Sequence, residues 1–143
     1  MFSKLIDTRE VVNLLVPFPE IDSVLAQRRH MYICISKDGS TKKFSKCQSF
    51  KPYMLLPNYT DVKCSIIENS NYERNPFSRK TMIDCDKVFK TINYSISRDK
   101  LTTIRPDVCK DLHSKIVENV AKQESQLVPL LTPELIALNE RIV

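Results

Sequence analysis

Arg28, Arg29 and His30 stand side by side at the head of an apolar run, and between them they carry two kinds of chemistry. A guanidinium presents a fork of donors that suits phosphate oxygens. An imidazole with its ordinary pKa near 6.5 can take or give a proton at neutral pH. A second group follows the next turn: Lys42, Lys43, Lys46 and Lys51, interleaved with Phe50 and Tyr53. Lysines contact phosphates and aromatic rings stack on bases, so this pattern suits a nucleic acid. The plainer reading of both groups is a solvated strand start and a charged strand that protects a sheet edge. Alternation along a strand puts His30 on the face opposite Arg29, which also suits a structural histidine. His113, the other of the two histidines, falls in a candidate helix and is set aside.

These side chains need elements to position them. Val11 to Val16, closed by Pro17, reads as a short branched strand, and residues 17–29 as a loop. Met31 to Ile35 reads as a strand buried on both faces. Asp38-Gly39 then signals a hairpin into a strand over Thr41 to Cys47. Tyr53 to Leu56 and Val62 to Ile67 are further strand candidates, the second with Val62, Cys64 and Ile66 on one face. Residues 68–79 form a polar loop, and Thr81 to Ile92 a long strand bent near Asp86-Lys87. From Pro106 the period changes: Val108, Leu112, Ile116 and Val120 recur at i+4, predicting an amphipathic helix. A second short helix is expected after Pro133, with Leu135, Ile136 and Leu138 apolar. The class is mainly β with C-terminal helices (α+β), in the form of a small barrel or curled sheet.

Composition narrows the function. The 143 residues fit one domain with a genuine core, and 42% hydrophobic content argues against wholesale disorder. A single glycine excludes glycine-rich phosphate loops. Five scattered cysteines without a Cys-x-x-Cys pair disfavour disulfides and zinc. A net charge of +5 permits a polyanionic partner. No run approaches the roughly 18 apolar residues of a membrane span. The first ten residues lack the apolar core of a signal peptide, so a cytoplasmic location is expected.

Glu10-Val11-Val12-Asn13-Leu14-Leu15-Val16-Pro17-Phe18 resembles the opening strand of the PemK/MazF toxins, which often reads acidic-Val-Val-x-Val-x-x-Pro-Phe. Arg28-Arg29-His30-Met31-Tyr32-Ile33-Cys34-Ile35 is similar to that family's Arg-Pro-x-x-Val-Leu strand, with His30 in the proline's place. Ser78 to Ile92, carrying Asp86-Lys87-Val88-Phe89, resembles its later Ser-x-Val-x-x-Asp-Lys-Leu-Phe-Thr strand. Lys100-Leu101 and the helix to about Val120 complete the order of elements. The resemblance covers residues 9–121; the family's glycines are missing.

The resemblance implies an SH3-like barrel with a closing helix over 9–121, followed by a C-terminal extension, 122–143, bearing a short helix. It implies a homodimer with RNA across the dimer face, and a small antitoxin as protein partner. The implied reaction uses no metal or cofactor: a ribose 2′-hydroxyl attacks the adjacent phosphate of single-stranded RNA, leaving a cyclic phosphate and a free 5′-hydroxyl. Arg29 matches the family arginine and His30 is a candidate for proton transfer. The family's hydroxyl at the end of the third strand would be supplied by Ser45, Cys47 or Ser49. RNA contacts would come from Arg28, Lys42, Lys43, Lys46, Lys51 and Tyr53. The alternative is a non-catalytic barrel that binds RNA, or a protein through the tail Val128 to Leu135.

Overall fold

The computed structural model describes residues 6–140 apart from 20, 60, 97 and 123–124. The first residues of the expected leaderless N-terminus, 1–5, and parts of the expected extension, 123–124 and 141–143, lie outside the described residues. Seven strands form one sheet: β1 (Val11–Leu14), β2 (His30–Asp38), β3 (Thr41–Ser49), β4 (Ser65–Glu68), β5 (Thr81–Asp84), β6 (Lys87–Ile92) and β7 (Gln126–Pro129). Two helices, α1 (Lys110–Lys122) and α2 (Thr132–Glu140), come late, as the change of period predicts. The strand order is β1-β2-β3-β5-β4, with β6 pairing β3 and β7. The closed barrel implied by the resemblance is not formed.

The hairpin forms at the expected place. Asp38 pairs with Thr41 across a Gly39-Ser40 loop, and Gly39 has φ +59°, the positive value that primed hairpin turns require at their first central residue. β3 then serves two partners: its end pairs with β5 and its beginning with β6. The long strand expected over Thr81 to Ile92 is therefore present, broken at Cys85-Asp86. Asp84 makes that break: its Oδ1 accepts the amides of Asp86 at 2.7 Å and Lys87 at 3.0 Å, an Asx turn written into the strand.

Both faces of the sheet are covered. Val11, Ile33, Cys47, Ile83 and Val88 pack with Leu112 and Ile116 of α1. On the other face Val12, Tyr32, Phe44 and Phe89 pack with Leu130 and Leu135. This two-sided burial explains the uninterrupted apolar run Tyr32 to Ile35.

Several expectations are corrected. Tyr53 to Leu56 is no strand but a 3-10 turn over Pro52–Leu55; Pro52 fixes its first position, and the Met54 and Leu56 amides close onto the Lys51 and Tyr53 carbonyls. The strand expected from Val62 begins only at Ser65. Pro106 does not open the helix. The amides of Val108 and Cys109 donate to the carbonyls of Arg9 (2.9 Å) and Arg74 (2.7 Å), which holds this segment extended, and α1 starts at Lys110.

The C-terminal segment is no loose extension. β7 adds to β6 in parallel, with Pro129 at its last position, where a missing amide is tolerated. Asn139 clasps Leu15, accepting its amide at 3.1 Å and donating to its carbonyl at 2.8 Å. Leu130 and Leu135 are core residues. Among the described residues, no helix is long and apolar enough to cross a membrane. Leu135→Ala is expected to destabilise the whole domain by about 2–5 kcal/mol in urea unfolding. Leu131→Ala, at a side chain 63% exposed, should change it by under about 0.5 kcal/mol.

Candidate active site

Three strand ends meet at one margin of the sheet, and antiparallel pairing brings them there. Leu14 pairs with His30, Met31 with Cys47, and Ser49 with Thr81. The start of β2, the end of β3 and the start of β5 thus become neighbours although they are far apart in sequence. They enclose a hollow of about 150 Å³ lined by Arg29, His30, Gln48, Ser49, Arg79 and Thr81, among others, and by no carboxylate.

Arg28 and Arg29 are exposed, as is Arg79. Neither the Arg29 nor the Arg79 guanidinium has a hydrogen bond or ion pair within the described residues. Two guanidiniums beside one hollow offer forked donors there with no carboxylate in the lining. Ser49 is half-buried between them, across the ladder from Thr81, whose hydroxyl donates to the Arg79 carbonyl at 2.8 Å.

His30 is half-buried, and its pKa is lowered from 6.5 to about 4. Burial is the main cause and the Lys46 ammonium adds to it, while a backbone hydrogen bond with Arg28 opposes both. The imidazole is therefore neutral at neutral pH, with one ring nitrogen open as a proton acceptor.

The three alternatives for the hydroxyl group separate cleanly. Ser45 is fully buried and its Oγ has no hydrogen-bond partner. Cys47 is 2% exposed within the core under α1. Burial is the first cause raising its thiol pKa, with Cys85 and Asp84 adding to it, so it carries no thiolate. Both corrections follow from the helix covering that face of β3. Cys47 and Ser49 both line the hollow, but only Ser49, at the strand's end, is more than marginally exposed there.

The basic candidates also divide. Lys42 is buried, 3% exposed, and its Nζ donates to the Tyr94 carbonyl at 3.1 Å, so it is a structural lysine and not a surface contact. Lys43 lies at the same far end of β3, paired with Lys90. Lys46 faces a second hollow beyond Gln48. Lys51 and Tyr53 are exposed just past β3, where Tyr53 packs edge-on against Tyr59 at 5.8 Å. Arg79 and Lys80 escaped sequence reasoning; Lys80 sits 4.9 Å over the Phe50 ring. The signal was present. Arg79-Lys80 leads into one partner of β3 as Arg28-Arg29 leads into the other.

Among the described residues, no three His, Cys, Asp or Glu side chains converge to hold a metal ion. No protein-family model matches this chain, and no curated protein matches it.

Ser45→Ala is expected to leave stability unchanged or raise it by up to about 1 kcal/mol, because it removes an unpaired buried hydroxyl; urea unfolding reads this directly. For His30, the imidazole should titrate near pH 4 by NMR. Between pH 6.5 and 4 the unfolded chain binds this proton and the folded chain does not. Stability should therefore fall as pH falls through that window, and His30→Gln should flatten that part of the pH profile.

Proposed function

We propose that this protein is a metal-independent endoribonuclease of the PemK/MazF type: an SH3-like fold, cytoplasmic, homodimeric and held in check by a small antitoxin protein. The observation that carries the reading is the pair of unneutralised arginines, Arg29 and Arg79, flanking Ser49 and a neutral His30. That set matches what cleavage of RNA at its own 2′-hydroxyl demands. His30 accepts the 2′-hydroxyl proton, and the oxygen attacks the adjacent phosphorus. Charge builds on the nonbridging oxygens, where Arg29 and the Ser49 hydroxyl donate. The bond to the 5′ oxygen breaks, with Arg79 available to the departing group, which takes up a proton from water. The products are a 2′,3′-cyclic phosphate and a 5′-hydroxyl. The exposed Arg28, Lys51 and Tyr53 extend the anion site for a longer strand.

One observation favours a second reading, a non-catalytic module that binds RNA in the same hollow. An imidazole with a pKa of about 4 is a weak base, because efficiency falls as the pKa drops below the working pH.

Incubation with an unstructured RNA in EDTA, followed by mapping of 5′ ends, separates the two. Discrete cuts with 5′-hydroxyl ends are expected. Arg29→Ala and Arg79→Ala should each slow cleavage by about 10²–10³-fold without lowering the melting temperature. Intact RNA, bound by a folded protein, would establish the module instead.

A further inference from the structure

A second hollow, of about 280 Å³, opens on the other side of Gln48, which lines both. Its residues come from the same face of the sheet. Lys46 and Gln48 alternate along β3, and Asp84 lies one step beyond the Cys47–Ile83 pair, across from Lys46. Phe18 and Phe89 meet edge to face, with centroids 5.3 Å apart at 81°, and form an apolar corner. Tyr59 closes another side and hydrogen-bonds Gln48.

The polar groups in this hollow are unusual for a structural pocket. Lys46 is half-buried, yet its ammonium makes no hydrogen bond and no ion pair within the described residues. Asp84 is 4% exposed. Its Oδ1 is filled by two backbone amides, while its Oδ2 meets only Lys87 Nζ, at 3.4 Å. Asp61 and Lys87 complete the rim. A half-buried cation with no hydrogen bond, facing a carboxylate with capacity left, offers donors and an acceptor that a ligand can fill.

We propose that this hollow binds a guanine base of the RNA, with Lys46 donating to its O6/N7 edge, Asp84 accepting from its N1/N2 edge, and the ring packed against Phe18 and Phe89. Guanine is the base that presents two adjacent acceptors and two adjacent donors. Lysine contact to O6 and N7 is a favoured recognition pair. Aromatic walls suit a planar ring, and a hollow of about 280 Å³ has room for a purine. Gln48 lines both hollows, so the base site adjoins the arginine-flanked one. The inference rests on the RNA reading above and adds its sequence preference.

The test titrates the protein with the 3′- and 5′-monophosphates of guanosine, adenosine, cytidine and uridine, followed by backbone amide NMR. GMP should bind tightest by at least about tenfold, with shifts at Lys46, Gln48, Tyr59, Val62 and Asp84. Lys46→Ala should weaken GMP at least about tenfold and erase the preference. Asp84→Asn keeps an oxygen for the Asp86 and Lys87 amides, so the fold should persist while the preference is lost; an unchanged melting temperature checks this for both variants. Equal binding of all four nucleotides, or GMP shifts confined to the Arg29 and Arg79 hollow, would overturn the base site. GMP selection without RNA cleavage would leave the base site standing and remove the enzyme. Cleavage with no guanine at a fixed place beside the cut would do the reverse.

Discussion

Everything in this fold answers to β3, a strand hydrogen-bonded along both edges and covered on both faces. β2 follows one edge through a bulge. The other edge is shared by β5 and β6, and the registers do not match: Cys47 faces Ile83, but Phe44 faces Phe89. Two residues of β3 thus stand against five of its partner. The surplus is taken up at Asp84–Lys87, where one buried carboxylate oxygen receives two backbone amides that would otherwise be lost to the ladder. This break in alternation lets Val88 face the same core as Ile83, five residues earlier. It also places Asp84 where a cavity opens.

The same constraint decides what chemistry β3 can support. Most residues in its middle lie within packed layers: Lys42, Phe44, Ser45 and Cys47 are buried. Lys42 shows the cost of that placement. Its stem is buried, its ammonium must find the Tyr94 carbonyl, and burial lowers its pKa, with Lys37 adding to the effect. Ser45 pays the same penalty without any partner. At the β3 terminus no layer lies above the strand, and there Gln48 and Ser49 meet the arginines that precede β2 and β5.

How much of this was legible follows from which signals are local. The Asp38-Gly39 turn and the bend near Asp86-Lys87 depend on neighbours a few residues away and stand where sequence reasoning put them; the run Met31 to Ile35 is buried from Tyr32 on, and of the stripe Val108, Leu112, Ile116 and Val120, Leu112 and Ile116 are the buried positions of the helix. Tyr53 to Leu56 had strand-like residues but no partner edge, because β3 was already filled on both sides. Val108 fitted the helical stripe and is indeed buried, yet carbonyls of Arg9 and Arg74, distant in sequence, claim the amides of Val108 and Cys109. β7 was hidden by Pro129, which weakens a strand pattern but does no harm at the end of an edge strand. For the site, Arg29 and Ser49 were readable from order along the chain. The burial of Cys47 and the arrival of Arg79 were not, since both depend on which strands become neighbours.

Charge is distributed to leave that margin of the sheet positive. The acidic residues near arginines lie elsewhere: Glu10 pairs with Arg98 at 2.9 Å, Glu68 with Arg74 at 2.8 Å, and Asp107 with Arg105 at 2.9 Å. Arg29 and Arg79 are left without such partners within the described residues. Lys46 ties the two hollows together. It faces the larger one, and its charge helps to hold the His30 imidazole neutral in the smaller. A phosphate seated between Arg29 and Arg79 acts on His30 in the opposite sense, because a nearby anion favours the imidazolium. On the proposed reading, a bound phosphate would therefore raise the basicity of His30. A ligand group that engages the Lys46 ammonium works in the same direction by drawing that charge toward itself.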